Sequence, residues 1–203
     1  VILYLLKNEL TEIFHDSFVH EFMDIQELSN TYHQIVKARS RCYHSLVNHY
    51  LTLYFPEMER YLNTSRALWF CEFMLRFPTP KCITKISKKQ FVYRAWKVVG
   101  RKVHKQAFLE ELYELAHFSI GLPLPSDSVA IDMFKLQLNR YLTLTQQRSD
   151  LEKQAIVTLK DNQDFEYLQS IPGIGPIIAL MILAESGDLT RFKHHKQYLN
   201  YCG

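Results

Sequence analysis

The stretch Leu168-Gln-Ser-Ile-Pro-Gly-Ile-Gly-Pro-Ile-Ile-Ala-Leu-Met-Ile-Leu-Ala-Glu185 carries the most structural information in the chain. Its pattern predicts a short helix from Phe165 to Ser170, a bend at Ile171-Pro172-Gly173-Ile174-Gly175, and a second helix opening on Pro176. Proline suits the first helical position, where its missing N–H would have had no partner. Gly173 and Gly175 are expected to turn with positive φ and to leave the outer face free of any Cβ. Successive N–H groups at such a bend, with the next helix's N-terminus, converge on one spot that suits a phosphate. Ile174 is the expected apolar wedge between the two helices. This is the helix-hairpin-helix pattern, which holds a nucleic-acid backbone without reading its sequence. A tight αα-hairpin with a purely structural glycine turn is the competing reading. The flank discriminates: Arg191, Lys193, His194, His195 and Lys196 follow about one helix later.

Charge points the same way. The chain has 203 residues and a net charge of only +3, yet the stretch Lys81 to Lys105 holds nine cations and no acid. They are Lys81, Lys85, Lys88, Lys89, Arg94, Lys97, Arg101, Lys102 and Lys105, which leaves the rest of the chain net acidic. Such asymmetry suits a polyanion partner. The plainer alternative is a solvated helix face, although exposed helices ordinarily mix signs. Phe91, Tyr93 and Trp96 alternate with these charges; isolated helical aromatics read first as core and second as platforms for bases.

Composition bounds the fold. At 47% hydrophobic and 22% charged the chain can bury a sizeable core and is not a disordered tail. Six glycines and seven prolines argue against a turn-rich β protein. Asp24 to Leu53 repeats apolar residues at spacings near three and four, which predicts a long amphipathic helix ended by Phe55-Pro56. Further helices are expected over Val1 to Glu12 (with a turn at His15-Asp16-Ser17), Pro56 to Tyr61, Ser65 to Phe77, Ser87 to Trp96 with Gly100 as a stop, and Val103 to Phe118. Gly121-Leu-Pro-Leu-Pro125 is the best linker. Ser126 or Asp127 should then cap the longest helix, Val129 to Lys160, whose stripe is Ile131, Phe134, Leu138, Tyr141 and Thr145, then Leu151, Ala155 and Leu159. That stripe suits a coiled-coil arm or bundle helix.

Other chemistries find little support. The cysteines Cys42, Cys71, Cys82 and Cys202 form no Cys-x-x-Cys, so neither a zinc ribbon nor a disulfide framework is indicated, and a reducing cytoplasm is the default. The opening run Val1-Ile-Leu-Tyr-Leu-Leu6 is far short of the ~20 residues of a membrane span. His44 and His49, like His15 and His20, miss the i, i+4 spacing of a helical zinc site. Asp16, Glu21 and Asp24 read as a solvated turn, and Glu110, Glu111 and Glu114 as balance for neighbouring lysines.

Several motifs together resemble a known family. Ile171-Pro-Gly-Ile-Gly-Pro176, Ala184-Glu-Ser-Gly-Asp-Leu189, Arg191-Phe192 and Gln197-Tyr-Leu-Asn-Tyr-Cys-Gly203 are similar to the C-terminal transposase region of DEDD-type insertion-sequence transposases. This is the insertion-sequence one-ten family, related to the Piv and MooV DNA invertases. Asp24-Ile-Gln-Glu-Leu28, His49-Tyr-Leu-Thr-Leu-Tyr-Phe-Pro56, Leu75-Arg-Phe-Pro78, Val98-Val-Gly-Arg-Lys102 and Ser119-Ile-Gly-Leu-Pro123 extend the likeness upstream.

The residues themselves read as a mostly α chain with a coiled-coil arm and a helix-hairpin-helix, and the resemblance adds that these are a helical linker followed by an incomplete transposase domain containing the hairpin. It implies a tail of a RuvC-like nuclease domain over residues 1–23, a helical linker with the basic segment over 24–125, a long arm over 126–160, and the truncated transposase domain over 161–203. The chain then reads as an internal piece of a longer recombinase. The family's four metal-binding acids would precede Val1 and its serine motif would follow Gly203, so no residue of this chain is expected to be catalytic. No cofactor is expected here, Mg²⁺ belonging to the acidic domain. Implied partners are DNA, an element-encoded guide RNA and a second copy of the chain through the long helix, with no membrane. Gly173, Ile174, Gly175, Lys85, Lys88, Lys89, Arg94, Lys97, Arg101, Lys102, Lys105 and Lys193 are the expected nucleic-acid contacts.

Two other readings stay open. A helix-hairpin-helix DNA-repair enzyme would, in bifunctional glycosylases, carry a lysine where this chain has Ile177, and its iron–sulfur cysteine spacing is missing. A helical scaffold would show no salt-dependent binding to nucleic acid.

Overall fold

The computed structural model describes residues 18–62, 67–100, 104–125 and 127–203. The expected helix over Val1 to Glu12, the turn at His15-Asp16-Ser17, the Ser65 and Ser126 caps, and Arg101 and Lys102 lie outside them. Every regular element among the described residues is helical, so the chain is mostly α. It divides into two compact units: the residues up to His33 with Asp150–Gly203, and Gln34–Ser149. Helices α1 (Phe18–Ser45) and α6 (Val129–Leu159) contribute to both.

In the unit Gln34–Ser149, α1 runs on through a π-helical turn, Leu46–Leu51, and a last α turn, Thr52–Tyr54. Thr52 Oγ1 donates to the Val47 carbonyl, five residues back, at 2.8 Å. The wider turn resets the helical phase, so that Leu46 and Leu51 are both fully buried. Phe55 leaves the helix at φ −161° ahead of Pro56, and Pro56–Tyr61 forms a 3₁₀ turn. Helix α2 (Ala67–Arg76) stops before Pro78-Thr79-Pro80. Pro80 then opens a short helix that the sequence reading lacks, α3 (Pro80–Thr84), with Thr79 and Ile83 buried.

Helix α4 (Lys88–Ala95) is capped as expected, Ser87 Oγ accepting from Gln90 N. It ends well before Gly100, the expected stop. The Val98 and Val99 amides both turn back to the Ala95 carbonyl, and Val99 is buried. After α5 (Lys105–His117), Gly121-Leu-Pro-Leu-Pro125 is laid against earlier chain. Glu57 accepts from Ser119 Oγ at 2.6 Å and from Ile120 N at 3.0 Å, and Leu122 N donates to Leu53 O at 2.8 Å.

Ser128, rather than Asp127, caps α6, its hydroxyl accepting from Ile131 N at 3.4 Å. The capping oxygen must reach the third helical amide, which fixes the cap three residues before Ile131. Ile131, Phe134, Leu138 and Tyr141 are buried as their spacing predicts. Tyr50 stacks on Phe134 with centroids 5.4 Å apart. Arg39 donates to Tyr141 Oη at 2.8 Å and to Thr145 Oγ1 at 3.1 Å. The upper stripe of the long helix is thus covered by the chain's own α1 and the turn after it.

A second aromatic layer surrounds Phe91, which packs edge-on to Phe73 and Phe77. Burying one such ring is worth about 1.5–3 kcal/mol. Cys71 lies inside this core, and burial pushes its thiol up to about 12.

In the other unit, Ile25 of α1 and Ala155 and Leu159 of α6 meet Phe165 of α7 (Gln163–Gln169) and Ala179, Leu180, Leu183 and Ala184 of α8 (Pro176–Ser186). Gln26 Nε2 donates to the Ala184 carbonyl at 3.2 Å, and Tyr32 Oη to Glu152 at 3.1 Å. A 3₁₀ turn, Leu189–Arg191, leads to α9 (His195–Cys202). No described helix is long and apolar enough to cross a membrane.

A Cβ on Gly121 would stand 2.5 Å from the Tyr54 carbonyl oxygen, backbone that cannot swing aside. Gly121→Ala should therefore lower stability by about 1–3 kcal/mol in urea unfolding. Gly100→Ala, whose Cβ meets Trp69 at an ordinary 3.6 Å, should stay within about 0.5 kcal/mol of the parent. Cys202 is exposed and should react rapidly with a disulfide reagent at about pH 8. Cys71 should react only on unfolding.

Candidate nucleic-acid interface

The bend between α7 and α8 is built from both sides. Asn162 caps α7, its side-chain oxygen accepting from Phe165 N at 3.0 Å, and Phe165 is buried. At the far end, Ser170 N returns to Glu166 and Tyr167, Ile171 N to Leu168, and Ile174 N to Ile171 at 3.1 Å. Gly173 holds φ +94°, the left-handed region that disfavours a side chain. Gly175 does not turn with positive φ: it has φ −87° and ψ 174° as the N-cap of α8, an extended conformation open to any residue. One positive φ closes the bend, and the cap needs none.

Both glycines keep the outer face open, for a Cβ on either meets nothing within 4 Å. Among the described residues, the amides of Gly173, Gly175, Ile177 and Ile178 have no acceptor. Two of these belong to the first turn of α8, where orphan donors and the helix dipole favour an anion. That turn carries no acidic side chain to neutralise them. Ile174 and Ile177 are half-buried and pack against the cluster that includes Phe165, Ala179 and Leu180. Ile171 and Ile178 rim the bend, about half exposed.

Downstream, Asp188 caps the 3₁₀ turn through Thr190 N at 2.8 Å. Arg191 then lies over the rings of Phe192 (4.6 Å) and Tyr201 (4.8 Å). Tyr201 Oη donates to Glu185 O at 2.7 Å, tying α9 to the end of α8. The sequence gives little sign of this aromatic seat for Arg191, since Tyr201 reaches it only through the turn that brings α9 back beside it. Lys193, His194, His195 and Lys196 are exposed.

The basic segment belongs to the other unit. Lys85, Lys89, Arg94 and Lys97 are exposed, and none is ion-paired among the described residues. Lys88 differs: it bonds Glu114 at 2.8 Å. That shared hydrogen bond raises the lysine above its ordinary range and holds the glutamate below its own. Glu111 takes Arg60 instead, at 2.8 Å, and Glu110 accepts from Gln106 at 3.0 Å.

The aromatics correct the sequence reading. Phe91 is fully buried, but Tyr93 is 81% exposed and Trp96 45%. Phe91 and Ala95, four apart, face the core, and helical periodicity turns Tyr93 outward with Lys89 and Lys97. Lys105 Nζ sits 5.1 Å over the Trp96 ring. Between α4 and α5 lies a groove of about 720 Å³ lined by Lys88, Lys89, Val92, Tyr93, Trp96 and Lys97 on one side and Gln106 and Glu110 on the other. No group of three or more His, Cys, Asp or Glu fits a metal ion among the described residues.

Comparison with known proteins bears on the bend directly. The model of the Transposase IS116/IS110/IS902 family matches residues 165–203, from α7 to the last residue. The transposase for insertion sequence element IS1111A of Coxiella burnetii (strain RSA 493 / Nine Mile phase I) is 32% identical over 97 residues. That alignment covers 47% of this chain and 26% of the relative, so the chain spans about a quarter of its length. No solved structure matches. From α7 through the bend and α8 to the last residue, the chain is similar to transposases of the IS116/IS110/IS902 family.

Proposed function

We propose that the chain is a nucleic-acid-binding portion of an insertion-sequence transposase, in which the Gly173–Gly175 bend holds a DNA phosphate as a helix-hairpin-helix. One observation carries the reading. Four backbone amides without an acceptor among the described residues cluster at Gly173, Gly175 and the acid-free first turn of α8, both glycines face open space, and the region matched to transposases begins within the first helix of that hairpin. Amides at a helix N-terminus bind phosphate without base contacts, which suits an enzyme that must hold DNA of varied sequence.

Lys193 and Lys196 supply positive charge in the same unit, while Lys85, Lys89, Arg94, Lys97 and Lys105 offer a second surface for DNA or a guide RNA. The parent activity is strand cleavage and rejoining. We assign no catalytic residue to this chain, and its described residues provide no ligand set for the Mg²⁺ that the family's acids would bind. The family match favours a transposase over a repair glycosylase.

Gly175 allows a clean test, because alanine fits its φ and a Cβ there has open space. Gly175→Ala should keep the parent's thermal midpoint, yet bind a DNA duplex about tenfold more weakly, the equivalent of one hydrogen bond to a charged group. Gly173→Ala should also cost about 1–2 kcal/mol of stability, through its positive φ. A folded Gly175→Ala chain with unchanged affinity removes the bend from the interface. Replacing Lys193 and Lys196 with Gln should make the log–log salt dependence shallower by roughly 0.9 for each phosphate no longer neutralised. An unaltered slope would place the duplex elsewhere.

A further inference from the structure

The groove between α4 and α5 has features that a phosphate-binding surface does not need. Tyr93 and Trp96 turn large apolar rings into solvent, three positions apart at the end of one helix. Val92 adds to the apolar lining, Lys89 and Lys97 stand on either side of Tyr93, and Glu110 is the one acid among the lining residues. Trp96 also borders a neighbouring hollow of about 500 Å³, shared with His104 and Lys105. Aromatic faces and ammonium groups thus alternate from Lys89 and Tyr93 on α4 to Trp96 and Lys97 in the turn that follows it.

We propose that this groove takes unpaired bases of a single-stranded nucleic-acid segment, stacked on Tyr93 and Trp96, with the sugar–phosphate chain held by Lys89, Lys97 and Lys105. The inference rests on the nucleic-acid reading above and narrows it, for this surface, to a single strand. A duplex shows its base edges in the grooves and hides the faces in the stack. Only an unstacked base can lie flat on an exposed ring. Stacking tolerates any base, and the lysines complement the backbone charge, so the groove selects for strandedness rather than sequence. Lys88, tied to Glu114, is not part of the track.

The test uses the 203-residue chain with oligo(dT) and oligo(U) of about ten nucleotides, and a DNA duplex in parallel. In a Trp69→Phe background Trp96 is the one remaining tryptophan, and its emission should be quenched as single strand is added. Tyr93→Ala and Trp96→Ala should each weaken single-strand binding about 5- to 150-fold. Duplex affinity should stay within about twofold, Trp96→Phe should keep most of the single-strand affinity, and circular dichroism should show unchanged helicity. Comparing the two oligonucleotides tells whether DNA or RNA is the better occupant.

Single-strand binding that falls with Lys89→Gln and Lys97→Gln but not with the alanine variants would reduce the groove to a charged surface and overturn the proposal. Duplex binding with no binding of either single strand would overturn it while leaving the Gly173–Gly175 reading intact. Loss of duplex affinity in Gly175→Ala alone, with the single-strand results as expected, would support both sites independently. No binding of any nucleic acid at low salt would end both.

Discussion

The packing of Ile174 against the cluster that includes Phe165, Ala179 and Leu180 is the interaction on which the candidate interface depends. It draws the apolar side of the bend inward, while Gly173 and Gly175 border open space. An anion site made of amides is only as good as its rigidity, because a floppy loop would lose conformational entropy each time a phosphate bound. Here packing imposes that order in advance. The Asn162 cap, the tight turn at Ser170–Ile174 and the buried Phe165 hold the first helix. Ala179, Leu180, Leu183 and Ala184 hold the second against Ile25 and Leu159.

The unit Gln34–Ser149 solves a different problem. Its aromatic core is large enough to fix the rotation of α4, and that rotation decides which side chains meet solvent. With Phe91 locked among Phe73 and Phe77, Tyr93 has nowhere to go but outward. The exposed rings are a consequence of the buried one. The same lock separates the cations: Lys88 lands beside Glu114 and is paired, while Lys89 and Lys97 have no ion-pair partner among the described residues. Nine like charges in sequence therefore yield an uneven surface, part of it balanced by α5.

Local signals are legible where a residue acts on its immediate neighbours. The cap at Ser87, the breaks at Phe55-Pro56 and Pro78, and the buried stripe of α6 all follow from spacing and side-chain chemistry within one turn. Sequence and structure part where a distant partner decides the outcome. Gly121-Leu-Pro-Leu-Pro125 looks like free linker until Glu57 and Leu53 are brought to it. Gly100 looks like a helix stop until Val99 is drawn into the core. Thr145 looks like a flaw in the stripe until Arg39 arrives at its hydroxyl.

For the bend, the order Pro-Gly-Ile-Gly-Pro already set a turn, a wedge and a helix start, since proline, glycine and a β-branched residue leave the backbone few alternatives. Which glycine turns left-handed was settled by packing, because the cap of α8 had to be extended while the wedge before it stayed seated. Sequence alone also established a helical chain with one strongly basic stretch. The division of that stretch into a paired lysine, free lysines and two solvent-facing rings belongs to the tertiary structure. Periodicity states which residues share a face, and only the neighbouring helices determine which face is covered.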